Sequence, residues 1–113
     1  MAKIYVRRGD TEEIRVTFYK GWEKYNPEDL KEGDLFSFTV RDKFNKEVVI
    51  EKKVAYPDTT FKINHEDTKN LTTKTYEYDV EYRKPDNSVV KTLLYGDFII
   101  GLDVTYGDDK WLN

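Results

Sequence analysis

The sequence predicts an all-β chain, arranged as a two-sheet antiparallel sandwich of about eight short strands. Three observations lead there. Alanine occurs only as Ala2 and Ala55 in 113 residues, while Val, Ile, Thr, Tyr and Phe dominate, a set that suits strands and not helices. Apolar and polar residues alternate along three stretches, which is the period of a strand with one buried face. Turn-forming residues recur about every 8–12 positions, the spacing of a sandwich or barrel.

The elements follow in order. A first strand is expected over residues 3–7, at the chain end and therefore at a sheet edge. In Arg8-Gly9-Asp10, Gly9 turns the chain, and Asp10 or Thr11 is expected to bond a nearby backbone N–H. Over residues 13–20, Ile14, Val16 and Phe18 alternate with Arg15, Thr17 and Tyr19. Residues 20–33 read as a loop running from Gly21-Trp22 through Asn26-Pro27 to Gly33. Over residues 34–42, Phe36, Phe38 and Val40 point one way and Ser37, Thr39 and Arg41 the other. Residues 42–46 turn into a strand over residues 47–54, and another spans 60–64. Residues 65–73 hold at most one helical turn, with Asp67 or Thr68 as its cap. Over residues 74–84, Tyr76, Tyr78, Val80 and Tyr82 form an inward face and Glu77, Asp79, Glu81 and Arg83 an outward one. Pro85-Asp86-Asn87-Ser88 closes a hairpin into a strand over 89–95. Tyr95-Gly96-Asp97 is expected to break that strand from a last one over 98–105. The chain reads as a single domain over residues 1–106 with a short tail over 107–113.

Composition bounds the function. Charged residues make up 36%, against about 25% in ordinary domains. The core is carried by 9 Tyr, 6 Phe and 2 Trp, each able to bury about 150–250 Å². With no cysteine, disulfide frameworks, thiolate zinc sites and cysteine nucleophiles are excluded. Acidic and basic residues are interspersed around a net charge of −3, so nucleic acid is not an expected partner. No apolar run reaches the roughly 18 residues of a membrane span, and the first residues lack the apolar region of a signal peptide. Neither a membrane nor a secretory route is expected.

Candidate chemistry is sparse. His65 is the one histidine and Ser37 and Ser88 the two serines; neither serine sits in a nucleophile elbow. Glu77, Asp79 and Glu81 lie on one strand face at spacings of about 6.6–7 Å, too far apart to chelate calcium alone at about 2.3–2.6 Å. Asp103, Asp108 or Asp109 would have to join them. The ordinary reading is a charged face paired with Lys and Arg. No catalytic residue, metal or cofactor is expected. Candidate partner contacts are Trp22 and Tyr25 in the long loop and Lys3, Arg7 and Arg8 along the first strand. The ordinary reading has Trp22 fold over the open end of the sandwich and cap the core, and Trp111 joins Trp22 and Tyr25 only in a carbohydrate-binding reading. Loop aromatics on a rigid scaffold serve recognition, while basic residues on an edge strand restrain uncontrolled pairing.

A series of stations runs along nearly the whole chain. Arg8-Gly9-Asp10-Thr11 precedes Ile14, and Asp29-Leu30 and Gly33-Asp34 precede Phe38-Thr39-Val40-Arg41. Asp67-Thr68 with Leu71 comes next, then Tyr76-Glu77-Tyr78-Asp79-Val80. Lys91-Thr92-Leu93, Gly96-Asp97-Phe98 and Asp103-Val104-Thr105 complete the series. In their order and spacing they resemble the immunoglobulin-like N-terminal domain of phage baseplate upper proteins and related tail or prophage structural proteins. The resemblance implies an immunoglobulin-like β-sandwich of seven to eight strands, non-enzymatic and located in a virion assembled in the host cytoplasm. It implies other tail or baseplate proteins as partners, with oligomers formed only within an assembly. The alternative from the residues is a carbohydrate- or ligand-binding sandwich using the loop aromatics.

Overall fold

The computed structural model describes residues 3–16, 19–20, 23–24 and 30–102, with the side chains of 19–20 and 23–24 left aside. The chain is mostly strand. In order run β1 (Ile4–Arg7), β2 (Glu12–Arg15), β3 (Tyr19–Lys20), β4 (Glu23–Lys24), β5 (Leu35–Arg41), β6 (Val48–Ala55) and β7 (Thr60–Ile63). One helical turn, α1 (His65–Thr68), separates them from β8 (Thr75–Arg83) and β9 (Val90–Gly101). Five strands form a mixed sheet in the order β1-β9-β8-β5-β6, and β2 pairs with β7 in a second, two-stranded sheet. β1 runs parallel to β9 while the other neighbours are antiparallel.

Alternation explains the large sheet. Phe36, Phe38 and Val40 of β5 and Tyr76, Tyr78, Val80 and Tyr82 of β8 all point inward and are buried, as their period of two requires. Register sets Phe36 opposite Tyr82, Phe38 opposite Val80 and Val40 opposite Tyr78. Phe38 gathers the core, with ring centroids 5.5 Å from Tyr78, 5.6 Å from Phe61 and 5.9 Å from Phe98. Phe61 belongs to β7, so the small sheet lies over the inner face of the large one. Val6, Val16, Ile50, Ile63 and Ile100 complete the buried cluster.

Turns follow local chemistry. Gly9 (φ 85°) and Gly33 (φ 95°) adopt the left-handed conformation that glycine tolerates best. Asp42 Oδ1 accepts the N–H groups of Phe44 and Asn45 and so closes the β5–β6 turn.

Several expectations are corrected. Residues 89–95 and 98–105 were expected as separate strands, yet β9 is continuous through Gly96-Asp97. Its ladder with β8 carries straight on, Tyr78 facing Gly96 and Glu77 facing Asp97, and Lys43 engages the Asp97 carboxylate at 2.7 Å. The strand over residues 13–20 is shorter, ending at Arg15. Residues 20–33 were expected as loop, but the backbone pairs Tyr19 with Lys24 and Lys20 with Glu23. The helix cap is Asn64, not Asp67 or Thr68; the Asp67 carboxylate instead accepts the Asn64 N–H at 2.7 Å. Thr68, fully buried, accepts the Gly9 N–H at 2.7 Å and so ties the turn to the helix.

Candidate functional site

The outward face of the five-stranded sheet concentrates the polar groups. Because side chains alternate, the strand that buries Tyr76, Tyr78 and Val80 must present Glu77, Asp79 and Glu81 to solvent. Register then aligns Arg41, Glu77 and Asp97 in one cross-strand row and Thr39, Asp79 and Tyr95 in the next. Each carboxylate meets a cation. Arg41 reaches Asp79 at 2.6 Å, Lys46 reaches Glu77 at 2.8 Å, and Arg83 reaches Glu81 at 2.6 Å.

Two open grooves mark this face. One, of about 570 Å³, lies between Lys3, Lys43, Tyr95 and Asp97. The other, of about 230 Å³, lies between Glu51, Lys53, Glu81 and Arg83. Arg41 and Asp79 line both, so their ion pair forms the ridge between the grooves. Tyr95 stands on this surface at 57% exposure. The hydrogen bond from the Lys43 ammonium holds Asp97 below the usual carboxylate range, outweighing desolvation. That is the condition of an ion-pair partner and not of a proton donor. The arrangement is suited to holding a polar surface in a fixed pattern.

The residues expected as contacts are divided by the fold. Lys3 borders the larger groove. Arg7 is exposed on β1, an outer strand of the sheet, and the Arg8 N–H donates to the Gly101 carbonyl at 3.0 Å. Trp22, Tyr25 and Trp111 lie outside the described residues, as do Asp103, Asp108 and Asp109. His65 is a turn fastener, its Nδ1 2.7 Å from the Gly9 carbonyl oxygen. Among the described residues no group of three His, Cys, Asp or Glu side chains is placed to hold a metal ion, and no helix is long and apolar enough to cross a membrane.

Sequence reasoning missed Arg41, Lys43, Tyr95 and Asp97 as members of one surface. Arg41 was legible as outward-facing, but joining it to Tyr95 and Asp97 needs the strand order. No protein-family model matches this sequence, and no curated protein is similar to it.

Proposed function

We propose that this chain is an immunoglobulin-like module acting as a non-enzymatic protein–protein building block, of the kind used in phage or prophage tails and baseplates. The observation that carries the reading is the outward sheet face, where Tyr95 stands exposed among the Arg41–Asp79 and Lys43–Asp97 pairs. An exposed aromatic beside arginine, ringed by polar groups, is the composition of a protein interface. Lys3 extends this face, and Arg7, Arg8, Trp22 and Tyr25 are proposed as further contacts.

The immunoglobulin-like part rests on topology and on one hydrogen bond. The order β1-β9-β8-β5-β6 with a β2–β7 pair is compatible with that sandwich. Tyr76 Oη donates to the Thr72 carbonyl at 2.8 Å, near the start of β8 and two residues before the core residue Tyr78. That is the placement of a tyrosine corner. The tail setting comes from the sequence resemblance. Several residues that carry it hold the fold: Gly9 and Thr68 bond each other, Asp34 is buried at 3% exposure, and Tyr76 closes its corner.

A second reading, a carbohydrate-binding module, is favoured by the larger groove, since its volume suits a small ligand and Tyr95 offers a stacking surface. One experiment separates the two. The purified chain is screened against products of the neighbouring genes and against a glycan panel. Saturable binding of a neighbouring structural protein, weakened by Tyr95→Ala, supports the building block. Saturable glycan binding with no protein partner overturns it.

A further inference from the structure

The five-stranded sheet has two outer sides, and their chemistry differs. β6 closes one side and carries Glu51, Lys52 and Lys53 in its centre. On the other side β1 pairs with only residues 98–101 of β9, and Lys3, Arg7 and Arg8 accompany it. Those charges are the usual guards of a sheet edge. Ahead of residue 98, no strand among the described residues flanks β9 on the side away from β8. That stretch, residues 89–96, reads Val-Val-Lys-Thr-Leu-Leu-Tyr-Gly, with Lys91 its sole charge. Val90 is 49% exposed and Leu94 42% exposed. Its one irregularity, a register shift opposite Val80/Glu81, leaves Leu93 half-buried against the core and adds no charge.

Among the described residues only Lys3 stands near this edge, at its Tyr95–Gly96 end, and an edge of β-branched, aromatic and leucine residues is a template for another strand. Its neutrality says which. A foreign strand is selected by charge complementarity and by repulsion of wrong partners, and this edge offers one lysine for that purpose. A second copy of the same edge needs no charge code: apolar meets apolar, and a two-fold axis makes the patch its own complement. Pairing through β1 would instead set Lys3, Arg7 and Arg8 against their own copies, and pairing through β6 would place the charged Glu51, Lys52 and Lys53 at the seam.

We propose that two copies of this chain pair β9 to β9, antiparallel, along residues 89–96, joining their five-stranded sheets into one continuous sheet. The proposal builds on the assembly reading for its purpose, and departs from the expectation that oligomers form only within an assembly. The test uses the purified chain. Sedimentation across a concentration series gives a reversible dimer, and Val90→Lys with Leu94→Lys raises the dissociation constant at least tenfold while circular dichroism stays unchanged. The chain has no cysteine, so single replacements report proximity. Thr92→Cys forms a disulfide-linked dimer under mild oxidation, whereas Val48→Cys on β6 does not. A monomer at every concentration overturns the proposal, as does a dimer indifferent to the β9 lysines or one cross-linked through Val48→Cys. Any of these leaves the binding of neighbouring proteins, and with it the assembly reading, to stand on its own test.

Discussion

The Lys84 ammonium lies 2.7 Å from the Asp34 carboxylate, and the pair prolongs the β5–β8 ladder by one rung beyond Leu35–Arg83. Asp34 immediately precedes β5 and Lys84 immediately follows β8. At the far end the pattern repeats: Asp42 follows β5, Lys74 precedes β8, and those two also form an ion pair. Each lysine stands over a tyrosine of β8, Lys84 at 5.7 Å from the Tyr82 ring centre and Lys74 at 5.2 Å from that of Tyr76. Asp34 Oδ2 also accepts hydrogen bonds from Tyr82 Oη at 2.8 Å and from the Lys31 N–H at 2.9 Å. The central strand pair of the sheet is therefore clamped at both ends, which fixes its register where a one-residue slip would turn every aromatic outward.

Acid should loosen the Asp34 end. Burial pushes the Asp34 carboxyl up, but hydrogen bonds from Lys84, the Lys31 N–H and Tyr82 outweigh it and hold the group below its ordinary 3.8. A depressed carboxyl contributes stability that is complete above the unfolded value and lost as pH falls through the folded one. The melting temperature should therefore fall as pH drops below about 4. Asp34→Asn should melt lower at pH 7 and show a shallower acid decline. Thermal melts from pH 7 to pH 2 check this; parallel curves for the two proteins would refute the assignment.

The alkaline side follows from Lys84. Hydrogen bonds to Asp34 and Tyr82 raise its ammonium above the ordinary 10.5. A raised lysine contributes stability that is complete below the unfolded value and lost at higher pH. Lys84→Met should remove that alkaline dependence, as read from chemical denaturation at pH 9 to 12. An unchanged slope would show that Lys84 is not held as described.

Core and surface positions of β5 and β8 should respond unequally. Phe38 is fully buried among Tyr78, Phe61 and Phe98, so Phe38→Ala should cost about 3–5 kcal/mol, as should Tyr78→Ala. Glu77→Ala, losing only a partly exposed pair with Lys46, should cost about 0.5 kcal/mol or less. Urea titration measures all three. Equal tolerance would place the wrong face inward.

The Gly9 turn should resist substitution. Its φ of 85° costs a residue with a Cβ about 1–2 kcal/mol, and that Cβ would stand 3.3 Å from His65 Nδ1. Gly9→Ala should lower stability by that amount, measured by urea titration. Tyr76→Phe, removing the bond to Thr72, should cost about 0.5–1.5 kcal/mol.

Much of the fold was legible in the chain, and the reason is local. Alternation in β5 and β8 depends only on neighbouring residues, so their inward faces read correctly from Phe36 to Tyr82. Gly96-Asp97 was misread because a turn signal carries no knowledge of the strand beside it; pairing with β8 and the ion pair to Lys43 override it. The helix cap was misplaced by a few residues for a similar reason, since Thr68 serves Gly9, distant in sequence. The sheet face joining Lys3, Arg41, Tyr95 and Asp97 depends on strand order, which no local pattern contains. The clamps had a signal that went unused: Asp34 and Asp42 bracket one alternating run, Lys74 and Lys84 the other.

The most direct measurement is the affinity of the purified chain for whichever neighbouring-gene product it captures, compared across two faces. Arg41→Glu and Tyr95→Ala alter the outward sheet face; Glu12→Lys on β2 alters a distant exposed position. The account predicts that the first two weaken binding at least tenfold while Glu12→Lys leaves it unchanged. Equal affinity for all three variants and the wild type would contradict it.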